Sequence, residues 1–207
     1  MCRSEFRIAT MELDELTRDF AAGMVAADAL RPQASSHRRE GVTYQPGIGP
    51  FAEDAAVRLT LEQMLAQQPG RYETSGKVRY PAGSKTCDLG LGDPLEWAIE
   101  VKLARVGRDN GTYEDTAVKK ILSPYPDDRS AVTDCVKLSE SEFVCRKAVL
   151  IYGFEDPARA LEWLIGAFEL IAEQHVRLGP RSETRLEGLV HPVFSRGAVL
   201  AWEVLPT

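Results

Sequence analysis

Three residues with the chemistry of a metal-dependent hydrolase lie close together near the middle of the chain: Asp88, Glu100 and Lys102. Asp88 belongs to a strand predicted over 85–91, and the other two belong to the next strand, predicted over 95–103. Because residues i and i+2 of a strand share a face, Glu100 and Lys102 point the same way. Neighbouring strands lie about 4.8 Å apart, so we expect Asp88 and Glu100 to approach each other across the pair.

Two carboxylates that are crowded together repel each other, and a divalent cation relieves the repulsion. Mg²⁺ is usually held by one or two carboxylates together with waters and substrate phosphates. A lysine beside it can orient or deprotonate the attacking water and help to neutralise the transition state. The group therefore predicts a Mg²⁺ or Mn²⁺ site. The alternative is an exposed strand face on which Glu100 and Lys102 are solvated and Asp88 ends a turn.

The strand that carries Glu100 and Lys102 has the clearest alternation in the chain. Its apolar residues are Leu95, Trp97, Ile99, Val101 and Leu103, and the residues between them are Glu96, Ala98, Glu100, Lys102 and Ala104. A period of two over this length predicts a strand with one apolar face. Glu100-Val101-Lys102 is also the only acid-x-Lys triplet in the sequence. An acid-x-Lys triplet on such a strand, with an acid on the strand before it, indicates a catalytic metal site much more specifically than the triplet alone.

Other elements follow from hydrophobic periodicity and from turn residues. Helices are predicted over 11–30, 51–67, 114–123 and 129–139, with a long one from Asp156-Pro157 to about 176. Further strands are predicted over 76–80, 147–154, 184–191 and 198–204. Pro69-Gly70 is predicted to end the second helix, and Asp127 or Asp128 to cap the fourth. This order predicts an α/β sandwich with a mixed sheet.

The composition limits the classes of protein and partner. A chain of 207 residues with 44% hydrophobic residues fits one domain, or one domain plus a small appendage. A net charge of -6 argues against a histone-like protein that holds nucleic acid by bulk charge. Any basic surface has to be local. A candidate lies in the polar segment 31–50, which reads either as a solvated loop or as a nucleic-acid contact, and its basic residues are Arg31, His37, Arg38 and Arg39.

The chain shows neither a secretory signal nor an apolar run long enough to span a membrane, so we expect a cytoplasmic protein without a membrane partner. The cysteines form no C-x-x-C pair, and we expect reduced thiols; they are Cys2, Cys87, Cys135 and Cys145. The scattered histidines disfavour a zinc site or a histidine-dependent triad; they are His37, His175 and His191.

Asp88 and, after eleven residues, Glu100-Val101-Lys102 resemble the PD-(D/E)XK nuclease superfamily, the restriction-endonuclease-like fold. The order of elements is similar to that family's αβββαβ core, which the resemblance maps onto about 50–175. An N-terminal helix and loop over 1–49 and two C-terminal strands over about 184–204 are then additions to one nuclease-like domain, 1–207. Cys87 precedes Asp88 where the family motif has a proline, which is often absent.

The resemblance implies a role for each residue. Asp88 and Glu100 are metal ligands, the Val101 carbonyl is a candidate third ligand, and Lys102 is the catalytic lysine. Many members also carry a glutamate on the first core helix, for which Glu53 is the candidate, both as a catalytic residue and as a metal ligand. The implied activity is a Mg²⁺- or Mn²⁺-dependent nuclease that cuts DNA, of the restriction or defence type.

Two other functions remain open. The same fold serves as a non-catalytic, partner-binding or immunity-type protein, and nothing in the sequence separates a DNA substrate from RNA. A nuclease that cuts both strands of a duplex is expected to form a homodimer, since one such site cuts one strand. Additional basic residues are either surface charges or contacts to the phosphate backbone, and they are Lys119, Lys120, Arg129 and Lys137.

Overall fold

The computed structural model of this protein describes residues 11–34, 44–108, 110, 112–155 and 160–206. Of the predicted basic cluster, Arg31 lies among them, whereas His37, Arg38 and Arg39 lie outside the described residues. The predicted start of the long helix at Asp156-Pro157 also lies outside them. None of the helices in the described ranges is both long enough and apolar enough to cross a bilayer.

The described residues form six α-helices and seven strands. The helices are α1 (Leu13–Ala29), α2 (Glu53–Gln67), α3 (Pro69–Tyr72), α4 (Asp115–Leu122), α5 (Ala131–Ser139) and α6 (Glu162–Ala172), with a 3-10 turn over Pro126–Asp128. The strands are β1 (Gly76–Arg79), β2 (Thr86–Leu91), β3 (Trp97–Arg105), β4 (Arg146–Glu155), β5 (Arg177–Leu178), β6 (Ser182–Leu186) and β7 (Arg196–Leu205).

The seven strands belong to one mixed sheet with the order β1-β2-β3-β4-β7-β5, and β6 lies beside β5 on the outer edge of β7. β3 and β4 are parallel from the Trp97–Arg146 pair to the Arg105–Phe154 pair. Their connection contains α4 and α5, as a parallel crossover requires. The other pairs are antiparallel. The predicted α/β class with a mixed sheet and flanking helices is therefore confirmed.

Helices cover both faces of the sheet at β3. The side chains of Ile99, Val101 and Leu103 pack into the core shared with α1 and α2. On the opposite face, Ala98 and Ala104 pack into the core shared with α4, α5 and α6. The prediction that β3 has a single apolar face is wrong, and so is the alternative of an exposed second face, because the small alanines let helices pack over that face as well.

The N-terminus of α2 is tied to the end of β3. The Arg105 guanidinium donates from Nη1 to the carbonyl oxygens of Gly49, at 2.8 Å, and Phe51, at 3.2 Å. These residues lead into Ala52, the N-cap of α2. Glu53, the first residue of the helix, therefore has a fixed position beside β3.

Some predicted boundaries differ from those in the structure. α2 ends at Gln67, before Pro69-Gly70, as predicted, but Pro69 and Gly70 then begin the short helix α3, with Pro69 at a first-turn position that proline tolerates. Ser130, rather than an aspartate before it, caps α5: its Oγ accepts the Thr133 N–H at 3.1 Å. Arg129, in a left-handed conformation with φ 50°, separates that cap from the preceding 3-10 turn.

The C-terminal part also differs from the prediction. The long helix is shorter at both ends, since α6 spans Glu162–Ala172. The strand predicted over 184–191 is β6, Ser182–Leu186, and the following residues form a loop before β7. The two-residue β5 carries too short a pattern to be predicted.

Candidate functional site

β2 and β3 separate partway along β3. Their pairing runs from Leu91–Trp97 through Gly90–Ala98 to Leu89–Ile99 and ends there. β3 continues to Arg105, still paired with β4 on its other side. Among the residues that the structure describes, the edge of β3 beyond Ile99 therefore has no strand partner. Its backbone groups need other partners, because buried N–H groups are costly to leave unbonded.

Two carboxylates bind this open edge of β3. Asp88 Oδ2 accepts the Val101 N–H at 3.0 Å, and Glu53 Oε2 accepts the Leu103 N–H at 2.6 Å. In a strand, the N–H and C=O of one residue point to the same side. The Val101 carbonyl therefore points to the open edge as well, where the Lys102 Nζ donates to it at 3.4 Å.

Glu100 is buried on the neighbouring face, with 2% of its surface exposed. Its Oε1 accepts a hydrogen bond from the Tyr80 hydroxyl at 2.6 Å and pairs with the Lys137 ammonium at 2.6 Å. Burial first, and then the nearby Asp134 and Asp88 carboxylates, raise the pKa of Glu100 to about 7. The site thus holds carboxylates closer together than their charges favour.

Lys102 is an ammonium held by Asp134. Its Nζ lies 2.6 Å from Asp134 Oδ2, and only 12% of its side chain is exposed. Burial disfavours its charge, but Asp134, and then Glu53 and Asp88, outweigh that effect and raise the pKa of Lys102. In this arrangement the lysine stabilises negative charge and has no capacity to accept a proton. Of the two roles expected for it, the geometry favours orientation and charge stabilisation over deprotonation of water.

Glu53 completes the group from the α2 side. Burial has the largest effect on the pKa of Glu53 and raises it. The Lys102 charge lowers this pKa and the Asp88 charge raises it, so the three side chains are electrostatic neighbours. The structure thus brings Asp88, Glu100, Lys102 and Glu53 to one end of the unpaired edge of β3, together with the Val101 carbonyl.

Sequence reasoning missed three contributors to the site: Tyr80, Asp134 and Lys137. Asp134 and Lys137 are spaced i, i+3 on α5, and Asp134 pairs with both lysines, Lys102 and Lys137. An acid and a lysine at this spacing beside an apolar helix stripe are a signal that could have been noticed. The sequence predicts Lys137 only as a surface charge or as a contact to the phosphate backbone. Tyr80, at the end of the first hairpin strand, carries no such signal.

Two clefts meet at Asp88. The smaller, about 630 Å³, runs between α2 and β1, and its lining includes Val57, Leu61 and Asp88. The larger, about 1240 Å³, lies between the loop after β1, the segment before α5, and α5 itself. Acidic side chains outnumber basic ones in the larger cleft: they are Asp88, Glu100, Asp127, Asp134, Glu140 and Glu142, against Lys85, Lys102, Arg129 and Lys137.

The donor chemistry of the open edge fits a hard divalent cation. No group of three or more His, Cys, Asp or Glu side chains in the described ranges is arranged to hold a metal ion. Glu53, Asp88, Glu100 and the Val101 carbonyl nevertheless offer only oxygen atoms, which Mg²⁺ and Mn²⁺ prefer. Burial is the main cause that raises the pKa of Glu53 and of Glu100, and neighbouring carboxylates add to it.

Compared with known proteins, the chain matches no family model, no curated protein and no solved structure.

Proposed function

We propose that this protein is a divalent-metal-dependent nuclease that hydrolyses phosphodiester bonds of DNA on a restriction-endonuclease-like fold. The observation that carries the proposal is the open edge of β3. There, Asp88, Glu53 and Glu100 lie around the Val101 carbonyl, which accepts a hydrogen bond from the Lys102 ammonium. Perturbed carboxylates and a buried lysine at the meeting point of two clefts are typical of a catalytic site.

The topology supports the fold part of the proposal. A helix, α2, precedes three antiparallel strands, β1 to β3, and a helical crossover then leads to β4, parallel to β3. This is the order of an αβββαβ core. The acidic residues lie where β2 and β3 diverge, and the helix before the sheet supplies Glu53.

Each residue of the site has a role in the proposed reaction. Asp88, Glu100, Glu53 and the Val101 carbonyl would hold Mg²⁺ or Mn²⁺. When bound, the metal would stabilise charge on the phosphate and make water a better nucleophile. Lys102 would place a second positive charge near the reacting phosphate, and its burial strengthens that interaction relative to water.

The clefts give the polynucleotide room on both sides of the site, but their charge does not attract it. The larger cleft has two more acidic than basic side chains. A phosphate would approach this cleft against a net negative charge, so bound divalent cations have to supply the attraction. On this charge balance the metal would strengthen substrate binding as well as support the chemistry.

The test is cleavage of linear and circular plasmid DNA, single-stranded DNA and RNA in Mg²⁺, in Mn²⁺ and in EDTA. Wild type is compared with Asp88→Asn, which removes a proposed ligand. Asp128→Asn is the matched control, because Asp128 pairs with the exposed Lys119 at 2.8 Å and lines neither cleft. We expect metal-dependent DNA cleavage by wild type and the control, and none by Asp88→Asn.

Two results would overturn parts of this proposal. Cleavage of RNA alone would replace DNA as the substrate while keeping the chemistry. Absence of cleavage together with absence of Mn²⁺ binding by calorimetry would remove the catalytic proposal. If duplex DNA is cut on both strands, a second copy of the chain is needed, and the oligomeric state measured by sedimentation should be a dimer.

A second candidate function is a non-catalytic, partner-binding protein on the same fold. One observation favours it: Lys102 and Lys137 already pair with Asp134 and Glu100, so positive charge is present among the acids without a metal. Such a protein would bind no Mn²⁺ at millimolar concentration, and its fold would tolerate Asp88→Asn without functional loss. The same calorimetric titration therefore separates the two candidates.

A further inference from the structure

We propose that Asp134 is a positioning residue that holds the Lys102 ammonium beside the open edge of β3 and away from the carboxylates that would bind the metal. This inference rests on the proposed nuclease function. Asp134 does not belong to the Asp88, Glu100 and Lys102 motif, and it lies on α5, more than thirty residues after the motif.

Asp134 connects two lysines. Its Oδ2 lies 2.6 Å from Lys102 Nζ, and its Oδ1 lies 3.1 Å from Lys137 Nζ. Lys137 Nζ in turn lies 2.6 Å from Glu100 Oε1. One carboxylate on α5 thus holds the lysine of the motif directly and its glutamate through a second lysine.

The backbone of α5 makes Asp134 a rigid support. The Asp134 N–H donates to the Ser130 carbonyl at 2.9 Å, in the first turn after the Ser130 cap. A carboxylate in this turn is stabilised by the helix dipole. The residue is 4% exposed, and its neighbours Ala131 and Cys135 pack in the core against the sheet. Asp134 can therefore fix a flexible lysine side chain at small cost in its own entropy.

Without Asp134, Lys102 has two other acidic neighbours, Glu53 and Asp88. Both are proposed metal ligands, and an ammonium paired with either would compete with the cation. Asp134 offers Lys102 a partner that is not a proposed metal ligand. The lysine then remains close enough to stabilise charge on a phosphate without pairing with the Glu53 or Asp88 carboxylate.

A purely structural explanation is weaker for energetic reasons. Burying paired charges costs desolvation energy that apolar residues of the same size would not incur. Asp134, Glu100 and Lys102 are all largely buried here. Such an arrangement is expected where position and charge serve chemistry.

The kinetic test uses Asp134→Asn, which keeps the shape of the side chain and removes its charge. We expect kcat to fall by about 10- to 100-fold because the lysine is misplaced, while KM for DNA changes less. Asp134→Glu, which keeps the charge, should recover part of kcat and serves as the second variant if Asp134→Asn does not fold. Asp128→Asn should behave as wild type.

A double-mutant cycle shows whether Asp134 acts through Lys102. If it does, Asp134→Asn in a Lys102→Gln background should cause little further loss of kcat. Full additivity of the two losses would overturn the inference, because Asp134 would then act independently of the lysine.

A second readout needs no enzymatic activity. Lysine acetylation followed by mass spectrometry should be slow at Lys102 in wild type and fast at the exposed Lys77 and Lys119. We expect Asp134→Asn to speed acetylation at Lys102 and Asp128→Asn to leave it unchanged. Unchanged acetylation at Lys102 in Asp134→Asn would overturn the positioning role. Faster acetylation in a protein that cleaves no nucleic acid would instead contradict the proposed function.

Discussion

Carboxylates bind backbone N–H groups both at the end of α1 and at the open edge of β3, and they do so in different ways. At the end of α1, Asp28 uses both oxygens: Oδ1 accepts the Ile48 N–H at 2.8 Å, and Oδ2 accepts the Val190 N–H at 2.6 Å. At the open edge of β3, Asp88 and Glu53 each use one oxygen for one N–H, and they lie at a cleft beside a lysine.

The surroundings of Asp28 indicate a purely structural role. Gly47 has φ +124°, and a Cβ there would lie only 2.9 Å from Asp28 Oδ1. Asp28 is 2% exposed, and within the described ranges it forms no ion pair with a lysine or arginine. Its two hydrogen bonds hold two loops against α1, and this role accounts for the residue fully.

The open edge of β3 cannot be explained by stability alone. Burial and neighbouring acids raise the pKa of Glu100 and Glu53, so the folded protein holds these groups at an energetic cost. The comparison teaches that a buried carboxylate with both oxygens bonded to backbone supports the fold. A carboxylate with crowded neighbours and access to a cleft indicates a site.

The largest expected effect is on stability, at Asp28. Asp28→Ala leaves two buried N–H groups without an acceptor, which should lower the free energy of unfolding by about 2 to 6 kcal/mol. Urea unfolding measures this. Asp28→Asn, which keeps one acceptor oxygen, should lose roughly half as much. Loss of cleavage by folded Asp28→Ala at unchanged stability would contradict the comparison, because Asp28 would then belong to the site.

The next effect is on activity, at Glu53. Glu53→Gln keeps an oxygen for the Leu103 N–H but removes a proposed ligand, so DNA cleavage in Mg²⁺ should fall by about 10²-fold. Urea unfolding should show stability equal to or above that of wild type, because a buried charge is removed. Glu62→Gln, which removes an exposed partner of Arg58, is the matched control on the same helix. A large loss of stability with full activity would place Glu53 with Asp28 as a scaffold residue.

A smaller effect is the pH dependence of stability in EDTA. Glu100 faces Tyr80, Asp88, Asp134 and Lys137, and its pKa is raised from 4.5 to about 7. The folded state binds this proton more tightly than the unfolded state, so the contribution of Glu100 to stability is fully present below about pH 4.5 and is lost as the pH rises to about 7.

Glu100→Gln should remove that loss of stability, which is on the order of 2 kcal/mol between pH 5 and pH 7. The measurement is the urea midpoint of both proteins at pH 5, 6 and 7. If the urea midpoints of the two proteins changed with pH to the same extent, the charge of Glu100 would carry no cost in stability. The contrast with Asp28 would then disappear.

The smallest expected effect is on substrate binding. Because the larger cleft is acidic, binding of a short DNA duplex should be about 10-fold tighter in Ca²⁺ than in EDTA at fixed ionic strength. Fluorescence anisotropy measures this without cleavage. Equal affinity in both buffers would mean that DNA, if bound, uses a surface away from the open edge of β3.

Sequence patterns predicted some parts of this molecule and not others. The alternation of β3 indicated a strand and put Glu100 and Lys102 on one face, but it also predicted that only the other face is apolar and packed. In the structure the Lys102 side chain is 12% exposed and paired with Asp134. Alternation reports which side chains share a face and carries no information on what covers that face. Lys102→Ala would thus remove one of the two lysines that pair with the buried Asp134, so Lys102→Gln tests the site more cleanly.

The sequence by itself determined the α/β class and the placement of Asp88, Glu100 and Lys102 on two adjacent strands, because strand periodicity and turn residues are local signals. The tertiary structure alone decided where β2 and β3 separate, which N–H groups Asp88 and Glu53 bind, and that Asp134 of α5 holds Lys102. The Glu53–Leu103 hydrogen bond spans 50 residues. Such contacts depend on how helices pack over a sheet, and packing is a property of the whole chain.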